Sequence, residues 1–258
     1  MLTRHLRRGL QAGAAGGLAF GLFVALLGNP LLRYVETVES FEGGHSHAHA
    51  HGGSAVGPET VGSIASVAGG VVFGVLLGTV AFGALYYLLE PAIPGANGTR
   101  SYLLGASGFL TVSGAPWLLF PPQPPGVEAV LATDVRVRWY LGMALAGALA
   151  CGLAGLAYTR LRARRGRLPA VFGAALPFCV LPILAALGPA APISSSVPAA
   201  LAYVFRMVTV VGQVGLWFVL ASTHAWLLRR DRIGEPESTD ADSTDRTTFA
   251  DTYRVLDR

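Results

Sequence analysis

Along this chain, long apolar blocks alternate with short polar connections, and the apolar residues fill blocks of about twenty rather than forming stripes. Six blocks can be read, at about 9–32, 61–89, 102–120, 139–158, 168–188 and 201–228. A hydrocarbon core of about 30 Å takes roughly 20 helical residues to cross, so each block is long enough to span it. The pattern predicts an all-α fold: a polytopic transmembrane helix bundle of about six spans over 1–232, with an outer loop at 33–60. The stretch 233–258 breaks the pattern. It carries seven acidic residues and three Arg among many Ser and Thr, and reads as a disordered acidic cytoplasmic tail.

Charge orients the spans. Twelve Arg lie on one side: Arg4, Arg7 and Arg8, then Arg100, then Arg160, Arg162, Arg164, Arg165 and Arg167, then Arg229, Arg230 and Arg232. The opposite side holds three, Arg33, Arg136 and Arg138. The positive-inside rule then places both termini in the cytoplasm, N-in and C-in, which an even number of spans requires. The first block ends in Asn29-Pro30 with no small-residue cleavage site, so it reads as a retained span and not a signal peptide.

Composition sharpens the picture. Only 13% of the residues are charged, about half the usual density of a soluble domain. All nineteen basic residues are Arg. Without Lys the chain has no Walker-type ATP site of its own and no Schiff-base chemistry. The net charge of +4 does not indicate nucleic acid, because the Arg residues flank the spans. The missing Lys and the acidic tail point to a salt-adapted prokaryote, hence to a prokaryotic cell membrane.

Small residues recur every fourth position on the first two spans, at Gly9, Gly13, Gly17 and Gly21 and at Gly62, Ser66, Gly70, Gly74 and Gly78. Such rows let two backbones approach closely, so these helices are expected to cross each other or another span at short range. Pro177 and Pro182 predict a kink in the fifth span. Cys151 and Cys179 fall inside apolar blocks and read as small core residues.

The outer loop carries the most specific chemistry. His45, His47, His49 and His51 stand at strict two-residue spacing between small residues and Gly pairs. In an extended chain this puts four imidazoles on one face, and the Gly flanks let the chain wrap around an ion. Imidazole suits Co, Ni, Zn and Cu, and binds in its neutral form, so affinity should fade below about pH 6. Glu36, Glu39 and Glu42 are candidate auxiliary oxygen ligands or an electrostatic lure; Glu36 and Glu39 share a face if the first helix continues outward. The spacing does not select among the metals, and no organic cofactor is called for.

Within the sixth span, Arg206, Gln213 and His224 return to nearly one azimuth at about 100° per residue, with Thr209 beside them. Gln213 and His224 are candidates for a translocation path. The competing reading has Arg206 and His224 sitting near the two interfaces, and a fixed Arg would repel a cation. The segment from Trp117 to Gly126 leaves the third span as a polyproline-like strand, with Trp117 as an interfacial anchor. No span holds a nucleophile–base or paired-carboxylate arrangement, and H-E-x-x-H is absent, so an enzyme is not expected.

Three features together carry a resemblance. The first is Arg8-Gly-Leu-Gln-Ala-Gly-Ala-Ala-Gly-Gly17 leading through Asn29-Pro-Leu-Leu to Glu36 and Glu39; the second is the histidine loop. The third is Phe120-Pro-Pro-Gln-Pro-Pro-Gly-Val127 followed by Arg136 and Tyr140. In these the chain resembles the CbtA family of predicted cobalt transporter subunits. The resemblance implies a multi-pass membrane protein for cobalt uptake, often accompanied by a small one-span partner with its own His motif. The expected function is thus a membrane subunit for uptake of a divalent transition metal. The alternative is a non-transporting membrane metal-binding protein, a sensor or an assembly partner.

Overall fold

In lipid, every backbone N–H and C=O must find its partner inside the protein, and a chain of apolar blocks meets that demand as helices. The computed structural model describes residues 2–43, 58–125, 127–129, 131–190, 193–195 and 197–233. Within it, six helices are long and apolar enough to cross a membrane: α1 Leu2–Val38, α2 Thr60–Leu89, α3 Gly98–Leu119, α4 Thr133–Arg165, α5 Arg167–Leu187 and α6 Ala199–Asp231. Several outrun the apolar blocks. α4 takes in Arg136 and Arg138 at one end and Arg160 to Arg165 at the other, because Arg is a good helix former and its long stem lets the charge reach water.

The large apolar side chains point outward. On α4, Leu141, Leu145, Leu149, Leu153 and Leu156 form one row, each 45–62% exposed, while Met143, Gly147, Ala150 and Ala154 are buried. Bulk faces lipid and small residues face protein, as expected where lipid is as apolar as the core and close packing holds helices together.

The closest packing joins α1 to α2. A Cβ on Gly9, Gly13, Gly17 or Gly21 would come within 3.0 Å of backbone atoms of α2, and one on Gly70, Gly74 or Gly78 would meet the backbone of α1 equally closely. The two Gly rows read from the sequence therefore pack against each other. Gly62 is a correction to that row: nothing lies within 4 Å of where its Cβ would be. At that level the interface turns polar instead, with Asn29 Nδ2 donating to Ser66 Oγ at 2.9 Å and Ser66 Oγ donating to the Gly62 carbonyl at 2.9 Å.

Three π-helical stretches interrupt the spans: Val24–Gly28 in α1, Gly78–Leu85 in α2 and Leu110–Gly114 in α3. A wide turn leaves carbonyls less well served by the helix, and the Tyr140 hydroxyl donates to one of them, Val112 O, at 2.5 Å. The expected break in α5 is a 3₁₀ turn at Leu176–Cys179, which contains Pro177. Cys151 is half-buried, but Cys179 is exposed and not a core residue, because the 3₁₀ turn puts it on the outer surface of α5. Only Gly166 separates α4 from α5, with φ of +88°, a conformation that a side chain would strain.

Two buried clusters result. Ala12, Phe82, Leu104, Trp217 and Leu220 knit α1, α2, α3 and α6 together, and Ala115, Ala150 and Leu181 join α3, α4 and α5. α3 belongs to both; its Gly108 leaves the space that the Trp217 ring fills. One element was not anticipated from the sequence. β1 Val127–Ala129 pairs antiparallel with β2 Ile193–Ser195, tying the α3–α4 connection to the α5–α6 connection. Residues 44–57, with His45, His47, His49 and His51, and the tail 234–258 lie outside the described residues.

Replacing Gly74 by Leu should separate α1 from α2 and cost about 3 kcal/mol, the upper end of overpacking penalties. Gly62→Leu should change stability by less than about 0.5 kcal/mol. Thermal unfolding of the two variants in detergent checks this; equal midpoints would refute the packing.

Candidate functional site

The helix that precedes the histidine loop runs unbroken over Asn29–Gly43. It includes Glu36, Glu39 and Glu42 at three-residue spacing, and Gly43 is the last of its described residues. Glu36 is exposed on it. The first helix therefore does continue past its apolar block.

Just beneath this end, a cavity of about 310 Å³ opens between α1 and α6, with Pro125 at its rim. Phe20, Phe23 and Val24 supply an apolar wall, and Asn29, Thr209 and Gln213 the polar groups. Two of these are already engaged, Asn29 with Ser66 and the Thr209 hydroxyl with Phe205 O at 2.9 Å. The π-helical turn of α1 lies along the same cavity. Arg206 is held elsewhere: its Nε donates to Pro122 O at 3.2 Å and its Nη2 to Gln123 Oε1 at 2.8 Å. Proline leaves the 121–125 segment short of backbone donors, so the guanidinium is what anchors it to the bundle. Trp117 stacks edge-on against Phe109, with ring centroids 6.0 Å apart.

His224 is at the other end of α6. It is 0% exposed, its Nδ1 is 2.9 Å from Ser101 Oγ, and its ring packs against Phe82 and Tyr86. Gln213 and His224 share a helix but not a cavity. Between them lie Leu216, Trp217 and Leu220, all buried and apolar. The stripe read from the sequence is thus two polar stations separated by an apolar layer.

The His224 end is rich in charge. Arg8 donates to Asp231 Oδ2 from Nε at 2.7 Å and from Nη2 at 2.5 Å, joining the start of α1 to the end of α6. Both chain ends of the bundle therefore share one face. Arg100 lies 3.6 Å from Glu90, closing the α2–α3 turn. His5 packs against Tyr86 and Tyr87. None of these pairings was read from the sequence. One signal could have found the ion pair: Asp231 is a single acid among Arg229, Arg230 and Arg232.

Among the described residues, no three His, Cys, Asp or Glu side chains converge as a closed metal cage.

The Arg8 side chain is largely buried and makes two charge-assisted bonds, so Arg8→Gln should cost about 1.5–3 kcal/mol. Arg138, exposed and paired with Asp134 within one helix turn, should cost less than about 0.5 kcal/mol when changed to Gln. Chemical denaturation in detergent gives both values; equal losses would contradict the assignment.

No curated protein and no solved structure matches the chain. The family described as "Probable cobalt transporter subunit (CbtA)" matches residues 2–229, which takes in all six spans. A multi-pass helical membrane protein with an imidazole-rich connection is in keeping with that description, and the chain belongs to the CbtA family of cobalt transporter subunits.

Proposed function

We propose that this chain is the membrane subunit that takes up cobalt as a divalent ion, and that His45, His47, His49 and His51 capture the ion outside the cell. Both termini are then cytoplasmic, and the ion moves from the loop face toward the face shared by Leu2 and Asp231. The observation that carries the reading is the run of four closely spaced histidines that follows, in sequence, a helix bearing three Glu residues, in a chain of this family. Glu36, Glu39 and Glu42 concentrate cations at the loop and supply oxygen ligands. Support for the cytoplasmic placement of the termini comes from twelve Arg on their side against three on the other.

Below the loop, Gln213 offers the next polar contact, and His224 the last before the far face. The apolar layer at Leu216, Trp217 and Leu220 keeps the two from sharing a continuous wet route, as a carrier requires when neither side is open. Four neutral imidazoles within seven residues bind cooperatively, because holding the ion at one brings the others to high effective concentration. The family description is of a subunit, and a small one-span protein with its own His motif is the partner we assign to this chain.

Replacing all four loop histidines by Ala should lower cobalt uptake by cells at limiting metal about tenfold or more, with much less effect at saturating metal. Lowering the outside pH through about 6.5 should mimic the variant, since protonated imidazole does not bind metal. Isotopic cobalt uptake measures both. Unchanged uptake by the variant at limiting metal would sink the capture role.

A further inference from the structure

The chain has six histidines, four of them in the loop. The other two, His5 and His224, are 219 positions apart in sequence and both lie at the opposite end of the bundle, where α1 begins and α6 ends. Their rings both pack on Tyr86: His5 stacked at 6.1 Å between centroids, and His224 edge-on at 4.6 Å. Tyr87 adds a second aromatic wall to His5, at 5.4 Å.

A histidine used only for packing normally satisfies both ring nitrogens, because an unmade hydrogen bond in a core costs free energy. Neither of these does. His224 Nε2 and His5 Nδ1 are buried without a hydrogen-bond partner among the described residues. His224 is fully buried, so its open nitrogen is shielded from bulk water. Its other nitrogen meets Ser101 Oγ at 2.9 Å. When Nδ1–H donates to that oxygen, the tautomer is fixed and the lone pair stands on Nε2. A ligating imidazole is typically oriented in this way by a second hydrogen bond.

Arg4 and Arg8 lie near the two rings; the Arg8 charge is matched by Asp231, and that of Arg100 by Glu90. Glu90 follows one helical turn after Tyr86, just past the end of α2, so a carboxylate lies at the same end of the bundle as the two histidines.

We propose that His5 and His224 form a second, inner station for the transition-metal ion, with His224 Nε2 as the buried ligand, His5 Nδ1 as the ligand nearer the surface, and water completing the shell. The proposal rests on the reading that this chain carries such an ion. It explains why the two histidines outside the loop are brought together from the two ends of the chain. It also explains why no third His, Cys, Asp or Glu among the described residues joins them. An ion in transit must leave, so a station on its route has to bind weakly, and two imidazoles do so where a full cage would trap it.

The test uses the full-length chain in detergent with His45, His47, His49 and His51 all changed to Ala, titrated with Co²⁺ and followed by the visible d–d absorption of the bound ion. One equivalent is expected to bind. Adding His5→Gln should weaken it at least about tenfold, and Ser101→Ala should weaken it about tenfold through the loss of the orienting bond. His224→Gln should abolish it; because that side chain is in the core, His5→Gln carries the decision if the His224 variant does not fold. No Co²⁺ binding by the loop-deficient chain, or binding indifferent to His5→Gln, would overturn the proposal. Uptake that ignores the loop, combined with inner binding lost on His5→Gln, would overturn the loop's capture role and leave the inner station standing.

Discussion

The backbone-to-backbone contact of α1 with α2 is the constraint on which the rest of this bundle depends. In lipid the apolar side chains gain nothing by turning inward, so helices associate where small residues let main chains touch. Gly9, Gly13, Gly17 and Gly21 against Gly70, Gly74 and Gly78 provide such contact over most of both spans. Once that seam is set, the positions at its ends follow. Asn29 meets Ser66 at one end, and His5 comes level with Tyr86 and Tyr87 at the other. α6 then closes over α1, with Leu220 against Gly16 and Asp231 on Arg8.

The seam also bears on function. The same two helices frame the histidine loop, and their far ends hold one histidine and the aromatic rings that the other histidine packs on. A displacement of α1 along α2 would be felt at both faces. The π-helical turns Val24–Gly28 and Gly78–Leu85 lie on these two helices, one beside the cavity under the loop and one above Tyr86. Wide turns are places where a helix can change register locally at small cost.

What the sequence made legible follows a simple division. Apolar block length and Arg placement are local properties, so six spans could be read, and the Gly rows could be recognised by spacing alone. The seam between them also depended on partner choice, and Gly62 shows the limit: it keeps the spacing, yet nothing packs against it. Features created by tertiary partners were out of reach. The Arg8–Asp231 pair spans most of the chain, the ribbon of Val127–Ala129 with Ile193–Ser195 joins two connections, and Arg206 spends its donors on Pro122 and Gln123. Helical azimuth placed Arg206, Gln213 and His224 in one line, but it could not show the buried Leu216, Trp217 and Leu220 dividing that line.

As a carrier of cobalt, this chain would hold an imidazole receiver on one face and a two-histidine station on the other. The most direct test is the total metal content of cells with and without the protein, compared for Co, Ni, Zn and Cu at low external metal. Cobalt should rise with the protein, and by more than the other three. Cobalt content that stays the same in both strains would contradict a role in cobalt uptake.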